Sequence, residues 1–159
     1  MDNSPDTDQV IMPPQIKPVY QQLYFRFWKA EKLPEMDVAL IGKGSIDAYV
    51  KYELFKKKLK TPVFTMKNEN VDWFHEFLIP QKTPIMGGKI VMSVWDEDKV
   101  SDEIVGSIHF NAKELIGPKN GLFFWKNVYG SPLGVSGDNV KLMNANPEAA
   151  STWKGRILM

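Results

Sequence analysis

Val94-Trp95-Asp96-Glu97-Asp98-Lys99-Val100-Ser101-Asp102-Glu103-Ile104-Val105-Gly106 runs from the end of one apolar segment, through a loop with five acidic residues in eight, into the start of another. Unit charges ~4 Å apart repel by roughly 1 kcal/mol in water and about 4 kcal/mol near a protein surface. A hard cation that takes oxygen ligands is the natural neutraliser. The plainer alternative is a solvated turn, because Asp favours turns on its own account. An EF-hand reading of residues 96–107 fails: Val100 stands at a ligand position, Ser101 where Gly is required and Ser107 where the closing Glu is required.

Outward from this loop the chain reads as short β-strands divided by polar turns. Residues 49–54 (Tyr-Val-Lys-Tyr-Glu-Leu) alternate between an apolar and a polar face, as a half-buried strand does. Further strands are predicted at residues 23–28, 62–66, 73–79, 89–95, 104–110, 122–129 and 153–159, with Pro80 closing the fourth in chain order and Gly87-Gly88 opening the next. Eight such strands predict an all-β fold, an eight-stranded antiparallel β-sandwich. Helix is expected only at residues 111–116 and 138–144. Residues 1–18, with Pro5, Pro13, Pro14 and Pro18, read as a flexible lead-in to one domain over 19–159. Within that domain, 130–151 is a long connection before the last strand, either an ordered functional loop or a crossing segment.

Composition narrows the function. With 159 residues, 43% of them apolar, the chain can bury a real core. A net charge of +1 gives no global field for nucleic acid, so electrostatic function must come from local segregation of charge. The absence of cysteine removes thiolate metal sites and fits a reducing cytosolic setting. No apolar run approaches the ~20 residues that span a bilayer, and no secretory signal pattern opens the sequence. His75 and His109 lack metal spacing, and Gly42-Lys43-Gly44-Ser45 is too short for a phosphate-binding loop. No set of Ser, His and carboxylate suggests a triad, so an enzyme is not expected. Trp95, Trp125 and Trp153 read as core anchors, since no basic residues interleave with them in sequence.

A second acidic pair lies upstream, Asp37 and Asp47, in the loop between the first two strands. Two acidic loops at one end of a sandwich would suit calcium, which accepts six to eight oxygens in flexible geometry. The succession Leu33-Pro34, Met36-Asp37, Ser45-Ile46-Asp47-Ala48-Tyr49-Val50-Lys51, Lys56-Lys57-Lys58-Leu59-Lys60-Thr61-Pro62-Val63-Phe64, Trp73 with Phe77, and Val94 to Gly106 resembles a C2 domain over residues 20–129. That resemblance implies an eight-stranded sandwich holding calcium in loops at one end. Asp37 and Asp47 match the first-loop ligands, and Asp96 and Asp98 the first two of the third loop. Glu103 falls where the family usually has Asp, with Asp102 beside it in a loop that is shorter than usual. The tail, Asn127 to Pro132 followed by Asn144 to Leu158, resembles the end of a C2 domain in ferlins. Ferlins are large, tail-anchored, multi-C2 proteins of membrane fusion and repair, which implies a trafficking role at the cytosolic face of membranes.

Two further groups fit a bilayer partner. Val38-Ala39-Leu40-Ile41 sits between the first-loop aspartates and Val100 near the tip of the third loop. Burying a Leu or Ile fully is worth about 1.5–3 kcal/mol, and insertion of Leu40, Ile41 and Val100 into an interface would recover part of it. The alternative is that these residues fold back onto the sandwich. Lys56, Lys57, Lys58 and Lys60 form a basic cluster, and near an anionic leaflet each lysine gains roughly 1 kcal/mol. In the family this region binds phosphoinositide headgroups; the alternative is a solvated strand edge guarded by lysines. The expected function is calcium-dependent binding to anionic phospholipid membranes containing phosphatidylserine or phosphoinositides. A calcium-independent protein-interaction or scaffolding domain is the other reading.

Overall fold

Period-two burial builds the sheet. In β1 (Val19–Glu31), Leu23, Phe25 and Phe27 are buried while Tyr24 between them is exposed. β6 (Lys89–Asp96) buries Ile90, Met92, Val94 and Asp96 in the same rhythm. The remaining strands are β2 (Asp47–Leu54), β3 (Lys57–Lys60), β4 (Phe64–Thr65), β5 (Asn70–Thr83), β7 (Glu103–Asn111), β8 (Trp125–Gly130) and β9 (Thr152–Leu158). Among the described residues one helix, α1 (Asp138–Ala145), lies in the connection from β8 to β9. The computed structural model describes residues 15–36, 44–54, 57–67, 69–84, 89–111, 123–132, 134–135, 137–150 and 152–159. Asp37, Leu40, Ile41, Lys56, most of the lead-in and residues 112–116 of the helix expected at 111–116 lie outside the described residues, while Asn111 ends β7.

All strand pairs are antiparallel, in the order β3-β2-β6-β7-β8-β9-β1-β5, with β4 also on β2. β3 and β4 are two halves of one line along β2, interrupted at Pro62, which has no N–H to give to a ladder. The eight predicted strands are therefore present, and the lysine-rich Lys57–Lys60 adds a short one at the edge. Pro80 does not close β5. It pairs with Gln22 well inside the strand, and it is tolerated because β5 is an edge whose outer side needs no donor.

The sheet curls so that its two ends face each other across the core. Phe25 of β1 packs on Tyr52 of β2 with ring centroids 5.4 Å apart. The Trp73 indole of β5 donates to the Ala48 carbonyl of β2 at 3.0 Å. These contacts join strands that lie far apart in the hydrogen-bonded order, which is the layering of a sandwich.

α1 ties down the connection that the sequence left open. Its Asn144 is buried, accepting from the Ser131 N–H and donating to the Ile104 carbonyl, both at 2.6 Å. A Cβ at Gly130 would stand 2.5 Å from the Asn144 Oδ1 and 2.6 Å from the Val105 carbonyl, so only glycine lets helix and strand approach this closely. The long segment is thus packed against the start of β7, where the acidic loop ends.

Candidate functional site: an acidic loop end beside a basic face

The register of β2 on β6 brings the roots of two loops together. Ala48 faces Asp96, and the Asp47 N–H donates to the Asp96 Oδ1 at 2.7 Å. The Glu97 N–H returns to the Asp47 carbonyl at 2.9 Å. Asp96 is 1% exposed, and the Asp47 Oδ1 is buried without a hydrogen-bond partner among the described residues. A buried carboxylate oxygen with no donor is costly unless something positive meets it. The Asp47 and Asp96 carboxylates are hard oxygen donors of the type that calcium takes.

The other predicted ligands are placed differently. Asp98 is half-buried in the loop, and Glu103 is exposed at the start of β7, opposite Asp96 in register. Asp102 turns toward β2, where its Oδ2 accepts from the Tyr49 hydroxyl at 2.5 Å and lies 4.0 Å from the Lys51 Nζ. Among the described residues no cluster of three or more acidic, His or Cys residues could hold a metal. The structure thus joins Asp47 and Asp96 and sends Asp102 to another surface.

That surface is the outer face of β3, β2 and β6. Tyr49 and Lys51 alternate outward from β2, Lys60 lies across from Lys51 on β3, and Trp95 lies across from Tyr49 on β6. The rings of Tyr49 and Trp95 stack, and the Lys51 Nζ sits 3.6 Å above the Trp95 ring. The Lys60 Nζ lies 3.7 Å from the Tyr49 ring and 2.8 Å from a Glu97 oxygen. Burial, and then the Asp102 carboxylate, push the Tyr49 phenol well above its usual range, so it stays protonated as a donor. The Tyr49 hydroxyl, and then Lys51 and Lys60, hold the Asp102 carboxyl below the ordinary range despite partial desolvation. Burial lowers Lys51.

Of the predicted basic cluster, Lys60 belongs to this face, while the more exposed Lys58 lies 3.8 Å from Glu53 and Lys57 is exposed at the edge. Lys51, Tyr49 and Trp95 were missed. Trp95 is a platform for a cation and not a core anchor, and Trp125 likewise has the Arg156 guanidinium 4.2 Å above it. Trp153 is 46% exposed, its indole donating to Asn127. The interleaving is made across strands, so it is invisible along the chain. Of the predicted wedge residues, Val100 is 96% exposed at the loop tip. His75 packs on Phe77, and burial lowers His109.

A family model described as C2 domain matches residues 21–128. The Arabidopsis thaliana protein named Multiple C2 domain and transmembrane region protein 8 is 32% identical over 93 residues, which are 58% of this chain and 9% of that protein. FT-interacting protein 7 of Oryza sativa subsp. japonica is 34% identical over 95 residues, 60% of this chain and 12% of that protein. The chain therefore spans only a small part of the length of these relatives. Among solved structures, a C2 domain of a plant Extended Synaptotagmin 1 superposes with a TM-score of 0.62 at 22% identity, covering 90% of this chain and 92% of that one. A pair of C2 domains from Extended-Synaptotagmin 2, described as calcium bound, gives a TM-score of 0.62 at 19% identity, covering 89% of this chain and 46% of that one. With the family model spanning β1 to β8 and the strand order closing a sandwich around that span, the chain belongs to the C2 domain family.

Proposed function

We propose that this C2 domain is a binding module that docks on anionic membranes through its basic face, in a calcium-dependent way. The observation that carries the reading is the placement of Lys51 directly opposite Lys60 over the Tyr49–Trp95 floor. Two cations held side by side over aromatic rings make a seat for phosphate oxygens, and Lys57 and Lys58 extend its field toward a phosphatidylserine or phosphoinositide surface. Asp37, Asp47, Asp96, Asp98 and Glu103 would hold calcium at the loop end. There it supplies positive charge that cancels the carboxylate repulsion facing the same membrane. Val100, with Leu40 and Ile41, would then enter the headgroup layer.

The parent would be a longer multi-C2 protein of membrane trafficking or fusion, working at the cytosolic face. Relatives named for multiple C2 domains and a transmembrane region support that broad reading. A ferlin-type, tail-anchored parent rests on the tail resemblance alone. The second reading, a calcium-independent protein-interaction domain, is favoured by the Asp102 carboxylate being engaged by the Tyr49 hydroxyl.

Calorimetric titration with calcium separates the two readings, with Asp96→Asn as control. Binding by the parent sequence and not by the variant supports calcium; at 100 times the dissociation constant the fold should gain roughly 2.7 kcal/mol. No heat and no rise in melting temperature sinks the calcium claim. Co-sedimentation with phosphatidylserine vesicles, with and without calcium, tests docking separately.

A further inference from the structure

Lys51 and Lys60 are register partners, and like charges directly opposite each other destabilise a strand pair. Their compensation does not come from the sheet. It comes from the two flanks of the loop joining β6 to β7: Glu97 reaches Lys60 at 2.8 Å, and Asp102 reaches the Tyr49 hydroxyl at 2.5 Å and Lys51 at 4.0 Å. The two carboxylates therefore engage the same lysines and tyrosine hydroxyl that a phosphate would bind. We propose that Glu97 and Asp102 are resident counter-ions of the basic face, a built-in competitor that a phosphorylated headgroup must displace to bind.

This inference rests on the reading of the face as a headgroup site, and it adds a selection rule. A phosphodiester carries one negative charge, the same as each carboxylate it would replace, and gains little by the exchange. A phosphomonoester carries about −1.5 to −2 near neutral pH and offers three strong acceptor oxygens. The resident carboxylates thus close the face to singly charged phosphates and leave it open to polyphosphorylated ones. Glu97 and Asp102 also belong to the loop whose roots carry Asp96 and Asp47, so whatever repositions that loop uncovers or covers the lysines.

The test is calorimetric titration of the whole chain with soluble inositol 1,4,5-trisphosphate, calcium being removed by chelator. Expected is weak binding by the parent sequence and at least 10-fold tighter binding by the Glu97→Gln/Asp102→Asn double variant. Glu97→Gln alone, an exposed change that cannot unfold the sheet, should tighten binding about 3-fold. Asp72→Asn removes an equal charge from an exposed position in no ion pair among the described residues, and should change affinity less than 2-fold. Lys51→Ala/Lys60→Ala should abolish binding in either background. Equal tightening by Asp72→Asn would reduce the effect to long-range charge and overturn the competitor. So would unchanged affinity in the double variant while the parent sequence binds, and that result would leave the headgroup reading standing. Absence of binding by every variant would overturn the headgroup reading itself, and the competitor with it.

Discussion

The two outer faces of this sandwich use the same chemistry and reach opposite ends. On the face formed by β5, β1 and β9, Arg26 lies over the rings of Trp28 and Tyr24 and pairs with Glu76, its own register partner. Arg156 lies over Trp125 and pairs at 2.8 Å with Glu31, again its register partner, with Lys29 sharing that carboxylate. Each cation is answered within the ladder, so the charge pattern is closed by the same hydrogen bonds that make the sheet. On the basic face the ladder opposes Lys51 with Lys60, and the counter-charges arrive from a loop. Stacked cations alone therefore do not mark a binding surface. What marks it is a cation pair that the sheet leaves unanswered.

The largest effect should come from breaking that pair. At roughly 1 kcal/mol per lysine near an anionic surface, Lys51→Ala/Lys60→Ala should weaken binding to vesicles carrying a bisphosphorylated phosphoinositide by about 30-fold, read by co-sedimentation at low salt. Arg26→Ala/Arg156→Ala should change it less than 2-fold. If the two double variants weaken binding equally, the contrast between the faces is wrong. Raising the salt sharpens the point. The Debye length falls from about 10 Å at 0.1 M to about 3 Å at 1 M, so the lysine-dependent ratio should collapse toward unity.

A smaller effect should separate the faces by stability. Arg156→Ala loses a cross-strand pair and its seat on Trp125, and a domain of this size should melt about 2–4 °C lower. Lys51→Ala should lower the melting temperature less than Arg156→Ala does, because burial and its neighbour Lys60 work against its charge while Asp102 favours it. A calorimetric melt of both variants reads the difference directly.

How much of this contrast was legible in the sequence depends on the direction in which the residues are linked. Strands whose apolar side chains alternate, such as Leu23-Phe25-Phe27, announce themselves, because period two survives in one dimension. β3 does not: three of its four residues are lysine and only Leu59 is partly buried, so no period exists to be read. Asp47 and Asp96 were legible as ligand types, and their contact required only that two loops share an end. The cation platforms were not legible, because Trp95 meets Lys51 across a strand pair 44 positions away in sequence. One signal was available. Tyr49 and Lys51 stand two apart in a strand whose Ala48, Val50 and Tyr52 face the core, which already places both on one outer face.

The finest distinction between the faces concerns pH. In the folded chain, Lys29 and then Arg156 hold the Glu31 carboxyl below its ordinary value. A carboxylate depressed in this way contributes stability above its unfolded pKa of about 4.3, and the contribution is lost as pH falls through the folded value. The melting difference between the parent sequence and Arg156→Ala should therefore be full at neutral pH and narrow in acid. It should not vanish, because the guanidinium over Trp125 keeps its charge and its ring at every pH in that range. The part that persists in acid measures the stacking, and the part that disappears measures the ion pair. A difference that stays constant from neutral to acid would mean that Glu31 contributes nothing, and that this face, too, leaves its arginine unanswered by the sheet.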